Sequence, residues 1–127
     1  MSLRILLVED DPASLHLARY LLQAAGHTVL SATSGEEALV LGLQGRIDLL
    51  LCDLQLPGID GCRVAGILRN GCVGGPPVRI ALTALSMQGD CERALQAGFQ
   101  AYLVKPITPE TFVATVEQWA HTLAETN

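Results

Sequence analysis

The chain has 127 residues, half of them hydrophobic and 17% charged; this is the size of one domain with one real core and argues against disorder. Its net charge of −5 is spread along the chain without a basic run, so a nucleic-acid surface has no electrostatic support. No apolar stretch approaches the ~20 residues needed to cross a bilayer, and the apolar run after Met-Ser-Leu-Arg is too short for a secretory segment, so a cytoplasmic protein is expected.

The first apolar run is RILLV (4–8), closed by the acids Glu9, Asp10 and Asp11. Asp11-Pro12 then supplies a cap residue with proline at the first helical position, predicting a helix over 12–25 that stops at Gly26. A second run, TVLSA (28–32), precedes Ser34-Gly-Glu-Glu37, which has capping-box spacing and opens a predicted helix over 35–44 ending at Gly45. The third run, IDLLLC (47–52), leads to Asp53 and then to a helix over 60–69 with Val64, Ile67 and Leu68 on one stripe and a stop at Asn70-Gly71. GCVGGPP (71–77) is a connection lacking the Lys-Ser/Thr of a phosphate loop. VRIAL (78–82) precedes Thr83 and a helix over 87–97. AYLV (101–104) precedes Lys105, and Thr108-Pro109 opens a helix over 109–124 with Phe112, Val116, Trp119, Ala120 and Leu123 on one face.

Most of these runs are continuous rather than alternating, the pattern of strands buried on both faces. The βα alternation with long crossovers predicts one open parallel sheet with helices on both sides, filling residues 1–127 as a single domain. The cysteines at 52, 62, 72 and 91 form no C-x-x-C pair and His16, His27 and His121 no cluster with them, so reduced thiols rather than a zinc site are expected.

Ligand sites of open α/β sheets lie just outside the carboxyl ends of the strands. Glu9 and Asp10, Asp53, Thr83 and Lys105 each follow a different predicted strand, so they should converge although far apart in sequence. Lys105 is the only lysine, the other seven basic residues being arginine. Clustered carboxylates repel one another, and a hard divalent cation resolves the conflict; Mg²⁺ typically takes one or two carboxylates with waters and a phosphate oxygen. One carboxylate can then attack phosphorus to give an aspartyl phosphate. A point cation and a neutral hydroxyl donor, Lys105 and Thr83, suit the charge spread over the transferred oxygens. Taken singly, each element has a plainer reading as a helix cap, a turn residue or a solvated charge; their occurrence one per strand end carries the functional one.

With ILLVEDD, DLQLPGIDG, ALTA and AGFQAYLVKPI in order along nearly the whole chain, the sequence resembles a response-regulator receiver domain of two-component signalling, similar to the chemotaxis regulators. The resemblance implies a flavodoxin-like doubly wound (βα)5 fold with strand order 2-1-3-4-5. It implies Asp53 as phosphoacceptor, Glu9 and Asp10 as the acidic pair holding Mg²⁺, and Gln55 as a metal ligand through its backbone carbonyl. Asp11 would be a helix cap, Thr83 the switch hydroxyl, Lys105 the active-site lysine and Tyr102 the aromatic whose orientation follows Thr83; the peptide before Pro106 would be cis. Implied partners are a histidine kinase or histidine phosphotransfer protein as donor and a downstream effector protein, with dimerisation through the face of the fourth helix, fifth strand and fifth helix. Neither direct nucleic-acid binding nor a membrane role is implied, and the domain would be no enzyme beyond self-catalysed phosphoryl transfer. The chain would be either a single-domain regulator or the receiver part of a larger protein such as a hybrid histidine kinase.

Glu9 stands where aspartate is more usual, its longer arm still within reach of a metal. Leu85, two residues after Thr83, cannot orient water, which implies slow self-dephosphorylation. The nearest enzymatic alternative, a haloacid-dehalogenase-type Mg-dependent phosphatase, needs a carboxylate two residues after its nucleophile, where this chain has Gln55. A dinucleotide-binding fold would need G-x-G-x-x-G after the first strand, where EDDPAS would repel a pyrophosphate.

Overall fold

The computed structural model describes residues 2–84 and 90–124, with residues 90–93 described through their backbone alone. Ten elements alternate: β1 (Arg4–Val8), α1 (Pro12–Ala24), β2 (Thr28–Ala32), α2 (Gly35–Gln44), β3 (Leu49–Asp53), α3 (Gly61–Gly71), β4 (Val78–Thr83), α4 (Asp90–Ala97), β5 (Ala101–Val104) and α5 (Pro109–Leu123). The strands form one parallel sheet in the order β2-β1-β3-β4-β5, as expected.

Alternate residues of the buried strands feed two separate cores. Leu6, Val8, Leu50, Cys52 and Ala81 pack with Ala38 of α2, Val64, Ala65 and Leu68 of α3, and Ala94 of α4. Ile5, Leu7, Leu49, Leu51, Ile80 and Leu82 face the other way onto Ala18 and Leu22 of α1 and Phe112, Val116 and Ala120 of α5. The continuous apolar runs thus reflect strands covered on both sides. Each fully buried leucine removes enough apolar surface from water to contribute roughly 2 kcal/mol. Trp119 and Leu123 are half-buried at the margin of the second core, so Trp119 is a packing residue of α5.

The helix starts follow the cap signals. Asp11 accepts from the Ser14 hydroxyl at 2.7 Å and from the Ser14 amide at 2.9 Å, and these bonds hold its carboxyl below its ordinary range. Ser34 accepts from the Glu37 amide at 3.1 Å. Glu37 returns its carboxylate to the Thr33 amide at 2.7 Å, one residue before the position a capping box uses. Asp60 caps α3 through the Arg63 amide and is therefore not its first helical residue.

Some boundaries and one strand's burial pattern differ from the sequence reading. β3 starts at Leu49 and not at residue 47, because the Asp48 carboxylate turns back to the Arg4 amide at 2.8 Å. It continues to Asp53, which stands in register with Leu82. α3 runs through Asn70-Gly71; a side chain on Gly71 would lie 3.0 Å from Leu43 of α2, so helix packing carries the last turn past the stop signal. β5 alternates, with Tyr102 and Val104 exposed between half-buried Ala101 and Leu103, as an edge strand does. Positions 87–89 of the fourth predicted helix lie outside the described residues. Among the described residues no helix is long and apolar enough to cross a membrane.

Candidate functional site

The sheet register brings the polar residues together. Val8 pairs with Cys52, so Glu9, one step beyond β1, stands beside Asp53 at the end of β3. Thr83 ends β4 and pairs with Val104. The ladder continues for one more bond, the Lys105 amide donating to the Thr83 carbonyl at 2.7 Å. The Lys105–Pro106 peptide is cis.

The lone ammonium turns inward. Lys105 Nζ donates to Asp53 Oδ2 at 2.8 Å and to Glu9 Oε1 at 3.0 Å. Asp53 is 4% exposed, Glu9 1% and Thr83 3%; Asp10 is exposed at the rim. The second Asp53 oxygen, Oδ1, accepts from the Gln55 amide at 3.0 Å. Both oxygens of Asp53 are thereby anchored, which fixes the plane of the carboxylate without loss of entropy at the moment of reaction. Glu9 Oε2 accepts from the Asp11 amide at 3.2 Å.

Electrostatics distinguish the site from an ordinary ion pair. Carboxylate oxygens of Glu9, Asp10 and Asp53 lie within 4.8 Å of one another, against a single ammonium. Burial, followed by the adjoining Asp53 carboxylate, pushes the Glu9 carboxyl up from 4.5 to about 7, although Lys105 and the Asp11 amide pull it down. Burial disfavours the Lys105 ammonium, but its bonds to Asp53 and Glu9 outweigh that and raise its pKa. The pocket therefore carries surplus negative charge that one side chain sheds by holding a proton near neutrality. A hard divalent cation that binds oxygen fits this donor set. Glu9, Asp10 and Asp53 are the residues that would hold it.

In front of Asp53 opens a cavity of about 390 Å³, lined among others by Asp10, Gln55, Leu56, Thr83, Ala84 and Lys105. That volume takes a phosphoryl group with its metal and waters. Gln55 is at the wall, where a backbone carbonyl can serve the site. Tyr102, on β5, lies outside the cavity, paired with Ala81 of β4 and 37% exposed. Leu85 lies outside the described residues. Leu56 and Ala84 were not foreseen as part of the site. Neither carries chemistry; the one available signal for Ala84 was its place directly after Thr83, where a small residue leaves the cavity mouth open.

Comparison with known proteins agrees with this geometry. Residues 5–117 match the family model of the response regulator receiver domain. The chain is 36% identical over 115 residues to the polar-differentiation response regulator DivK of Brucella anthropi, covering 91% of this chain and 94% of that one. It is 33% identical, with a TM-score of 0.85, to the receiver domain of a sensor histidine kinase from Pseudomonas aeruginosa PAO1, covering 96% of this chain and 100% of that one; that crystal structure has a magnesium ion coordinated in the active-site cleft. Full-length ShkA in complex with AMPPNP contains a similar portion, 35% identical with a TM-score of 0.77, covering 93% of this chain and 24% of that protein. This chain belongs to the response regulator receiver domain family.

Proposed function

We propose that Asp53 is the phosphoacceptor of this receiver domain and takes a phosphoryl group from a phosphohistidine donor, a histidine kinase or a histidine phosphotransfer protein. Receiver domains work between histidine kinases and effectors, and the observation that supports the assignment here is the Lys105 bridge to Asp53 and Glu9 at 2.8 and 3.0 Å. A carboxylate oxygen of Asp53 attacks phosphorus, the P–N bond breaks, and its electron pair stays on the leaving imidazole. The product is a mixed anhydride on Asp53. Lys105 follows the charge from carboxylate to phosphoryl oxygen, and the Thr83 hydroxyl donates to a second one. Glu9, Asp10 and Asp53, with the Gln55 carbonyl, would hold Mg²⁺. What bound Mg²⁺ adds is positive charge against the phosphoryl oxygens.

Movement of Thr83 toward the phosphoryl group pulls on the ladder bond by which its carbonyl accepts from the Lys105 amide and frees space beside β5. Tyr102 then turns inward, and the surface of α4, β5 and α5 changes shape for an effector or a second copy of the chain. This is a two-state equilibrium biased by a local charge change. Beyond its own phosphorylation and a slow self-dephosphorylation set by Leu85, the domain catalyses nothing. It acts in the cytoplasm as one receiver unit over residues 1–127. The test is incubation with Mg²⁺ and a small acyl phosphate: the wild type takes up one phosphoryl group and Asp53→Asn none. Equal uptake by the variant would move the nucleophile elsewhere, and a phosphoryl half-life of seconds unchanged by Leu85→Glu would remove the role of Leu85.

A further inference from the structure

The loop from Leu54 to Asp60 carries Gln55 and Leu56 into the cavity wall, yet few of its own bonds fix it. The Gly61 amide closes its base on the Leu54 carbonyl at 3.1 Å, and the Gln55 amide reaches Asp53. Its tip rests on another element. Glu36, in the first turn of α2, accepts from the Ile59 amide through Oε2 at 3.4 Å. Its carboxylate fills the space beside Gly58, where a β-carbon would meet Oε2 at 2.5 Å and Oε1 at 2.9 Å. Gly58 has a φ of +74°, a conformation that side chains other than glycine's rarely adopt. One residue back along α2, Gly35 packs so tightly on the Ile59 carbonyl that any side chain there would collide with it. The start of α2 and the tip of the β3–α3 loop are thus fitted to one another around a carboxylate.

We propose that Glu36 is a positioning residue for the phosphoacceptor site: its carboxylate latches the tip of the β3–α3 loop and so sets where Gln55 and Leu56 stand in the cavity wall. This rests on the assignment of Asp53 as phosphoacceptor, but the latch has a readout of its own. Glu36 touches neither the metal ligands nor the cavity, so it acts through the loop. A carboxylate is needed as acceptor rather than as a distant charge, and glutamine keeps that acceptor. The sequence signal is the pairing of Pro57-Gly58 with a glutamate that the Ser34 cap does not use, Glu37 being the one that reaches back to Thr33.

The experiment compares wild type, Glu36→Ala and Glu36→Gln in three measurements: amide hydrogen exchange at Ile59, Mg²⁺ affinity by calorimetric titration, and the rate of phosphorylation by a small acyl phosphate. Loss of one hydrogen bond of ordinary net strength corresponds to about threefold to fivefold. Glu36→Ala should accelerate Ile59 exchange by about that factor and lower Mg²⁺ affinity and phosphorylation rate in parallel, with the thermal midpoint little changed because Glu36 is exposed. Glu36→Gln should restore most of all three. Unchanged Ile59 exchange in Glu36→Ala would overturn the latch. Faster exchange with unaltered metal affinity and rate would overturn the positioning role. A glutamine variant as impaired as alanine would overturn the acceptor assignment in favour of bulk charge. If Asp53→Asn still took up phosphate, the nucleophile assignment would fall, while exchange and metal titration would continue to decide on the latch.

Discussion

Glu9 gives the site a pH dependence that can be worked from the structure. Its carboxyl is raised to about 7, first by burial and then by the neighbouring Asp53 carboxylate. Lowering the pH from 8 to 6 therefore takes Glu9 from about nine-tenths ionised to about one-tenth. A cation held by Glu9, Asp10 and Asp53 binds the ionised form, so Mg²⁺ affinity should fall about tenfold over this interval, and binding at pH 7 should release about half a proton. Calorimetry in two buffers of different ionisation enthalpy measures both. In Glu9→Gln the affinity is lower and its pH dependence between 6 and 8 nearly flat. The metal-free protein shows the same group as a stability effect of opposite sense. Because the folded pKa lies above the unfolded value of 4.5, the folded chain binds more protons between pH 4.5 and 7. The stability that Glu9 contributes is full below this window and is lost as pH rises through it, by on the order of 3 kcal/mol. Saturating Mg²⁺ binds only the folded state and should cancel the loss. An affinity that is equal at pH 6 and 8, with no proton release, would refute this reasoning.

Other consequences are as direct. Lys105→Met leaves Asp53 and Glu9 facing each other without the ammonium; phosphorylation by an acyl phosphate should fall at least ~100-fold, and chemical denaturation should show a loss of about 1–3 kcal/mol, tempered because Glu9 can take a proton. Thr83→Ala should still be phosphorylated, but resonances of β5 and Tyr102 should shift far less on phosphorylation than in wild type; full wild-type shifts would remove Thr83 from the switch. Leu22→Ala opens a void between α1 and the sheet and should cost about 2–5 kcal/mol in urea unfolding with Mg²⁺ affinity unchanged, since Leu22 is fully buried in the second core and does not line the cavity at Asp53. Ser34→Ala removes the α2 cap bond to Glu37 and should cost about 1 kcal/mol in the same assay.

The site was legible where chemistry and topology coincide. A parallel sheet sends every strand's carboxyl end to one edge, so Glu9, Asp10, Asp53, Thr83 and Lys105 could be placed together from their positions after four of the five apolar runs. The lone lysine among arginines pointed at the residue that bridges Asp53 and Glu9. What the sequence withheld depends on packing across elements. Ala84 and Leu56 contribute only shape to the cavity. Glu36 stands in the sequence only inside the Ser34-Gly-Glu-Glu37 capping signal, and its place against Gly58 is set by the packing of α2 on the β3–α3 loop. The extension of α3 through Gly71 is decided by Leu43 on a neighbouring helix, and the start of β3 by an Asp48 side chain that bonds to β1. Local signals for helix stops and strand starts contain none of these contacts.

If the carboxylate gripped by Lys105 receives phosphorus, the adduct can be located chemically. Phosphorylate the protein with Mg²⁺ and an acyl phosphate, reduce the adduct with borohydride, and sequence the peptides by mass spectrometry. An aspartyl phosphate at position 53 is reduced to homoserine, so homoserine should be found at 53 with aspartate and glutamate elsewhere unaltered. Homoserine at another aspartate, or a phosphoryl group on an alcohol that survives reduction, would contradict it.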